Sequence, residues 1–221
     1  MTWPMTLVLV RHAESEGNVL TVAERAAHPV GTHDYDLTPR GRRQAEITGA
    51  YLAEHFPQID VRYVSYYRRA RETMRIIQPD ARVYEDPRLR EAERGIWHVL
   101  TPEQVMDQCP FELERKEREG LYHYRPIGGE NWPDVELREH SFLGTLARDC
   151  GGQIVLIVVH GHWLVLFRKL IEHLTIEQAL DLYKNHNVEN ASVTVYRSYE
   201  DHGRSRLKLD QLNIVPWAGK V

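Results

Sequence analysis

The chain has 221 residues, with 28 Lys plus Arg against 32 Asp plus Glu, a formal net charge of −4, 42% hydrophobic and 27% charged residues. That balance is near the average of a globular domain and excludes a disordered chain, which needs low hydrophobicity and high net charge. It also leaves no surplus of cations to displace counterions from a nucleic acid, and two cysteines, Cys109 and Cys150, are too few for a disulfide framework. Twelve histidines stand out as groups that titrate near neutrality. The apolar runs at 7–10 and 154–159 fall far short of the roughly 20 residues a membrane helix needs. Asn190-Ala191-Ser192 matches a glycosylation sequon, but no secretory signal accompanies it. The expectation is a cytoplasmic protein in a reducing compartment, with neither nucleic acid nor membrane as partner.

Residues 6–10 are apolar and β-branched without interruption, as in a strand buried on both faces. Small and polar residues follow at once, which places 11–18 at the carboxyl end of that strand. Thr38-Pro39 opens a helix to about His55, with Thr38 as cap and Pro39 at the first helical position. Residues 61–65 read as a strand, 67–77 as a helix stopped before Pro79, and 81–84 as a short third strand. From Thr101 to Arg125 charge is dense, the mark of a solvated helix face, or else of an insertion covering a site.

A helix over 133–150 then leads through Gly151-Gly152 to a strong strand at 154–159. Helices over 163–173 and 176–183 follow, and strands at 192–199 and 206–212 form a hairpin turning at Asp201-His202-Gly203. Alternating strands and helices predict a mostly parallel central sheet with helices on both faces, a three-layer α/β/α sandwich. Residues 1–221 read as one domain with a lid-like insertion at about 97–131. Ligands of such sheets sit at the carboxyl ends of the strands.

Two predicted strands end in histidine, Val10-Arg11-His12 and Val159-His160-Gly161. If both are central and parallel, the two imidazoles emerge on one edge, and Arg11 makes that edge a cationic site for an anion such as phosphate. Glu91 lies among Arg88, Arg90, Glu93 and Arg94, which also reads as a surface ion-pair network. His160 and His162 form a His-x-His pair, but no further group has a convincing ligand spacing, so no metal is expected.

Arg11-His12-Ala13-Glu14-Ser15-Glu16-Gly17-Asn18 resembles the signature of the histidine phosphatase superfamily, also called the phosphoglycerate mutase-like family. Further matches come in the family's order. They are Leu37-Thr38-x-x-Gly41-x-x-Gln44-Ala45, Ser65-Tyr-Tyr-Arg-Arg69-Ala70-Arg-Glu-Thr73, Leu89-Arg90-Glu91-x-x-x-Gly95, Gly128-Gly129-Glu130-Asn131 and Val159-His160-Gly161. The resemblance implies His12 as nucleophile, Glu91 as acid and base with Glu93 as fallback, and Arg11, Arg69, His160, Asn18 and Gly161 around the phosphate. It places the second phosphate-binding arginine at Arg69 rather than Arg68, makes Glu14 a structural residue, and implies no cofactor. Ala13, Glu72 and Asn131 depart from the usual Gly, Gln and Ser, and Tyr66-Tyr67 replaces smaller or apolar residues at the pocket wall.

Glycolytic mutases of this family carry a Tyr three residues after the acid and an Arg-Arg pair in the insertion. Here Arg94 stands at the first position, and no Arg-Arg pair occurs between 98 and 130. The resemblance therefore favours hydrolysis of small phosphorylated metabolites over mutase transfer or an inactive phospho-ligand domain. Arg94, Trp97 and Arg125 are expected in the substrate pocket. Lys116 and Arg118 are further candidates for an anionic part of the substrate, and Trp97, Tyr122, Tyr124 and Trp132 either line it or anchor the insertion. His33 and His98 are expected at its border. The oligomeric expectation is a monomer or a homodimer.

Overall fold

A computed structural model describes residues 2–221. Strand β1 (Thr6–Arg11) ends where the small and polar residues begin. Helices α1 (Glu16–Val19) and α2 (Val22–Ala26) follow, each opened by a side-chain cap. Ser15 N donates to Asn18 Oδ1 at 2.9 Å, and Thr21 N to Glu24 Oε2 at 2.7 Å. Helix α3 (Pro39–His55) starts as expected, with Thr38 Oγ1 accepting from Gly41 N at 2.9 Å. Gly41 has a second reason to be glycine: a Cβ there would lie 1.9 Å from the Glu14 carbonyl oxygen. The helix thus presses directly on the loop after β1.

Strand β2 (Val61–Val64), helix α4 (Arg68–Ile77) and strand β3 (Tyr84–Glu85) come next. The third strand is shorter and later than the expected 81–84. It pairs only Tyr84 and Glu85 with Tyr63 and Val64, because the chain turns at Asp80 (φ 60°) and meets β2 near its end. The insertion holds helices α5 (Ile96–Val99), α6 (Pro102–Gln108) and α7 (Phe111–His123). Then come α8 (Trp132–Asp149), β4 (Ile154–Val159), α9 (Gly161–Glu172), α10 (Ile176–Asn185), β5 (Val193–Asp201) and β6 (Arg204–Ile214). The β5–β6 hairpin turns at His202 and Gly203, both with positive φ.

Among the described residues six strands form one sheet in the order β3-β2-β4-β1-β5-β6. The first four are mutually parallel and the last two antiparallel, so the mixed α/β fold is the expected one. Side chains alternate across it. Val8, Val10, Leu156 and Val158 pack under α3 and α4 with Leu52 and Met74. Leu7, Leu9, Val155, Ile157 and Val159 pack on the other face with Phe142, Trp163 and Phe167 of α8 and α9. Each such buried side chain contributes roughly 1.5–3 kcal/mol. The register pairs Arg11 with Val159, so His12 and His160 leave the sheet as neighbours on one edge.

Candidate active site

His12 is buried, and its Nδ1 lies 2.8 Å from the Ala13 carbonyl oxygen. A carbonyl only accepts, so Nδ1 carries the proton and the Nε2 lone pair is left for chemistry. Arg69 Nε donates to that Nε2 at 3.1 Å, and Arg69 Nη2 to His160 Nδ1 at 3.2 Å. His160 Nδ1 is therefore an acceptor, and its Nε2 donates to Ser65 Oγ at 2.8 Å. The two imidazole centroids are 5.1 Å apart. Burial, with Arg69 and Arg11 nearby, pushes His12 well below the usual histidine range. Burial, Arg69 and His12 do the same to His160. Both rings are neutral at pH 7, so the positive charge here belongs to the two guanidiniums.

The arginines are held from behind. Arg69 Nη1 donates to Thr32 O at 2.7 Å, and Arg11 Nη1 donates to Val188 O. Gly161 lies against Arg11, and a Cβ there would stand 3.3 Å from Arg11 Nε. Thr73 Oγ1 accepts from Ala13 N at 3.0 Å and donates to Arg69 O at 2.7 Å, joining the loop after β1 to α4. Glu14 accepts from Thr38 Oγ1 at 2.7 Å and pairs with Arg40, a structural role. Asn18 is exposed and spends its Oδ1 on Ser15 N and Oγ. Arg68 points the other way, to Asp36 at 2.6 Å.

Glu91 is half-buried at the start of α9. It accepts from Ala92 N at 3.0 Å and from His162 N and Trp163 N at 3.3 Å each. Burial alone would raise this carboxyl, but His162, the Ala92 amide, Arg69 and Arg94 together hold it below its usual value. His162 is itself pushed down to about 4 by burial and is neutral at pH 7, so there the amides and the two arginines carry the effect. Glu93 shares none of these amides and accepts from the Tyr67 hydroxyl.

Close to Glu91 stand two groups to which sequence reasoning assigned no place in the pocket, His162 and, against its ring, Tyr183. The His162 ring lies 4.7 Å from Trp132 and 4.9 Å from Tyr183, and its buried Nε2 has no partner among the described residues. His160 and His162 thus turn to different neighbours, and no group of three His, Cys, Asp or Glu among the described residues is placed to hold a metal. His98 is pushed down to about 4, by burial first and then by Arg94, Arg69 and Arg25, which marks it as a neighbour of the same cations. Arg94 is exposed and donates to the Tyr183 hydroxyl at 3.1 Å.

The insertion is tied to itself and to α8. Trp97 Nε1 donates to the Tyr124 hydroxyl at 2.8 Å, which donates to the buried Glu112 at 2.7 Å. Lys116 sits 4.5 Å over the Trp97 ring, Arg118 pairs with Glu119 at 3.7 Å, and Arg125 pairs with Asp134. The Tyr122 hydroxyl donates to Glu136 at 2.9 Å, with its ring 5.8 Å from Trp132. The structure thus does not bring Trp97 or Arg125 to the His12 cluster by any hydrogen bond or ion pair among the described residues, and it uses the insertion's aromatics as anchors. The charge run is mostly exposed, as a solvated face should be, with Glu112 as its buried exception.

Comparison with known proteins adds a family to this geometry. The model of the histidine phosphatase superfamily (branch 1) matches residues 7–211. A 2,3-bisphosphoglycerate-dependent phosphoglycerate mutase of Rhizobium etli is 32% identical, over 89% of this chain and 91% of that protein. Phosphoserine phosphatase 1 of Hydrogenobacter thermophilus is 32% identical over 70% of each. Among solved structures, a mycobacterial glucosyl-3-phosphoglycerate phosphatase, in complex with VO3, superimposes with a TM-score of 0.71 at 27% identity, covering 95% of this chain and 99% of that one. The alpha-ribazole phosphatase of Shigella flexneri shares the fold, with a TM-score of 0.74 at 22% identity over 96% and 98% of the chains. Among the described residues no helix is long and apolar enough to cross a membrane.

Proposed function

The chain belongs to the histidine phosphatase superfamily, and from that premise we propose that it is a phosphomonoesterase passing the phosphoryl group of a small phosphate ester to His12 and then to water. The observation that carries this reading is the orientation of His12: its Nδ1 is committed to Ala13 O and its Nε2 lone pair points into the two-arginine cluster. Nε2 attacks phosphorus as the ester oxygen departs, giving a phosphohistidine and splitting one hard displacement into two easier ones. Arg69 and Arg11 take the equatorial oxygens, where charge must be neutralised. A phosphate dianion beside His160 reverses the electrostatics that keep it neutral: Arg69 Nη2 turns from His160 Nδ1 to a phosphate oxygen, Nδ1 takes up a proton from solvent, and His160 becomes a further donor. The same dianion raises Glu91, which then protonates the departing oxygen and afterwards deprotonates the attacking water. Guanidinium charge does what a metal does in other phosphatases, so the proposed reaction is metal-independent.

Hydrolysis is preferred to mutase transfer because Arg115, Lys116, Arg118 and Arg125 of the insertion are spent on partners within the chain. A mutase needs such cations for the second anionic group of its substrate. The mutase names among the 32%-identical relatives support the alternative. A panel of phosphorylated metabolites, assayed in EDTA for phosphate release and for transfer of label between carbons of phosphoglycerate, separates the two. Release to water, inhibition by vanadate and loss of turnover in His12→Ala support the phosphatase. Transfer faster than release overturns it in favour of the mutase, and binding without turnover leaves a phospho-ligand domain.

A further inference from the structure

Tyr67 is the fully buried residue just before α4, and it touches both halves of the site. Its ring stands edge-on to His160, with centroids 5.1 Å apart, and the Arg69 guanidinium lies 4.8 Å from its face. A cation over an aromatic face is attracted by the ring quadrupole, so this contact fixes the plane of a group that must meet phosphate oxygens. The hydroxyl reaches the other way and donates to Glu93. Glu93 lies two residues beyond Glu91, on a loop otherwise stitched to the far side: Glu93 N donates to Glu130 Oε2 at 3.2 Å, Glu130 N to Glu93 O at 2.8 Å, and Arg138 Nη2 to Glu91 O at 3.3 Å. Among the described residues the Tyr67–Glu93 bond is the one side-chain hydrogen bond joining residues 90–95 to the segment 65–77 that carries Arg69. Without it, the carboxylate loop is referenced to α8 and, through the His162 and Trp163 amides, to the His160 side of the site, but not to α4 and Arg69.

We propose that Tyr67 and Glu93 form a positioning pair that sets the distance between the proton-transferring carboxylate of Glu91 and the Arg69 guanidinium that holds the phosphate. The assignment rests on the phosphatase reading and deepens it: kcat/KM reports the step in which the ester oxygen needs a proton, whereas the later attack of water, where Glu91 is the base, enters kcat for every ester alike. A proton must be delivered to an alkoxide leaving group, whereas a p-nitrophenolate departs as the anion. In kcat/KM, misplacement of Glu91 therefore slows one class of ester and spares the other, while ordinary loss of packing slows both.

The test is kcat/KM for p-nitrophenyl phosphate and for an alkyl phosphate such as glycerol phosphate, with vanadate inhibition measured alongside. Tyr67→Phe keeps the ring and removes the hydroxyl. The expected result is a fall of about 10–100-fold on the alkyl ester, within the range that positioned proton transfer contributes. p-Nitrophenyl phosphate and vanadate should each change less than about 3-fold, a change of under 1 kcal/mol. Glu93→Ala should reproduce this pattern, the double variant should add little to either single one, and Glu93→Gln, which keeps an acceptor oxygen, should restore the alkyl ester. Equal loss on both esters, a parallel loss of vanadate affinity, or no loss at all overturns the positioning role. A wild-type protein that binds vanadate yet hydrolyses neither ester overturns the phosphatase reading instead, and the pair's role with it.

Discussion

Arg69 Nε donates to His12 Nε2 across 3.1 Å, so the group expected to hold the phosphate also guards the lone pair expected to attack it. Burial first, and then its cation and that of Arg11, keep that lone pair unprotonated. Arg69→Ala should therefore do two things at once. Turnover should fall on the order of 100–1,000-fold, the usual loss when one preorganised donor is removed. The His12 imidazole should titrate at higher pH, read from its ring resonances by NMR. Arg69→Lys should not restore turnover, since an ammonium cannot address both imidazoles in one plane. An unshifted His12 titration would show that Arg69 does not control the nucleophile.

Gly41 presses α3 against Glu14, with 1.9 Å between a would-be Cβ and the Glu14 oxygen. Gly41→Ala must displace the loop that carries His12. It should lower stability by about 1–3 kcal/mol, as overpacking does, and lower kcat with it. Gly144→Ala, in open space on α8, is the control and should leave both unchanged or raise stability slightly. Thermal unfolding of the two variants decides.

How much of this was legible in the sequence depends on how far apart the partners lie. The strand ends at His12 and His160 and the Thr38 cap follow from local runs, and the choice of Arg69 over Arg68 from an ordered motif; in the fold Arg69 meets His12 while Arg68 turns to Asp36. The hydroxyl of Tyr67 meeting Glu93, 26 positions away, leaves no local trace, because only the folded sheet brings the segments together. The insertion's cations looked available because charge patterning does not say that Arg125 closes on Asp134 or Lys116 on an indole. That both site imidazoles are neutral is likewise not legible, because burial and the neighbouring arginines are tertiary facts.

Four histidines, His12, His98, His160 and His162, have their values pushed down, the second and fourth to about 4. Below about pH 6.5 the unfolded chain binds protons that the folded chain refuses, so stability is lost as pH falls from about 6.5 toward 4. For His98 and His162 the loss is at most about 3 kcal/mol each before solvent reduces it. Tm measured across that window should drop, and inorganic phosphate, which favours a charged His160, should diminish the drop. A flat Tm would contradict neutral buried rings.

Glu139 is fully buried in α8, and neither carboxyl oxygen has a partner among the described residues. Burial raises its carboxyl well above the usual value, so relative to the unfolded chain it destabilises the fold increasingly as pH rises past about 4.5. Glu139→Met fills similar space without an unpaired polar group and should raise stability by about 1–3 kcal/mol at pH 7. A fall in Tm at neutral pH would show that the carboxyl has a structural partner in solution.

In the proposed reaction His12 carries the phosphoryl group. Brief mixing with a labelled phosphate ester that the protein hydrolyses, a rapid quench under alkaline conditions, and peptide mapping by mass spectrometry read it directly. The expected product is an acid-labile, base-stable phosphoryl group on the peptide containing His12, absent from His12→Ala and retained, at reduced rate, in Glu91→Gln. A phosphorylated His160, or brisk turnover with no phosphohistidine in any variant, would contradict it.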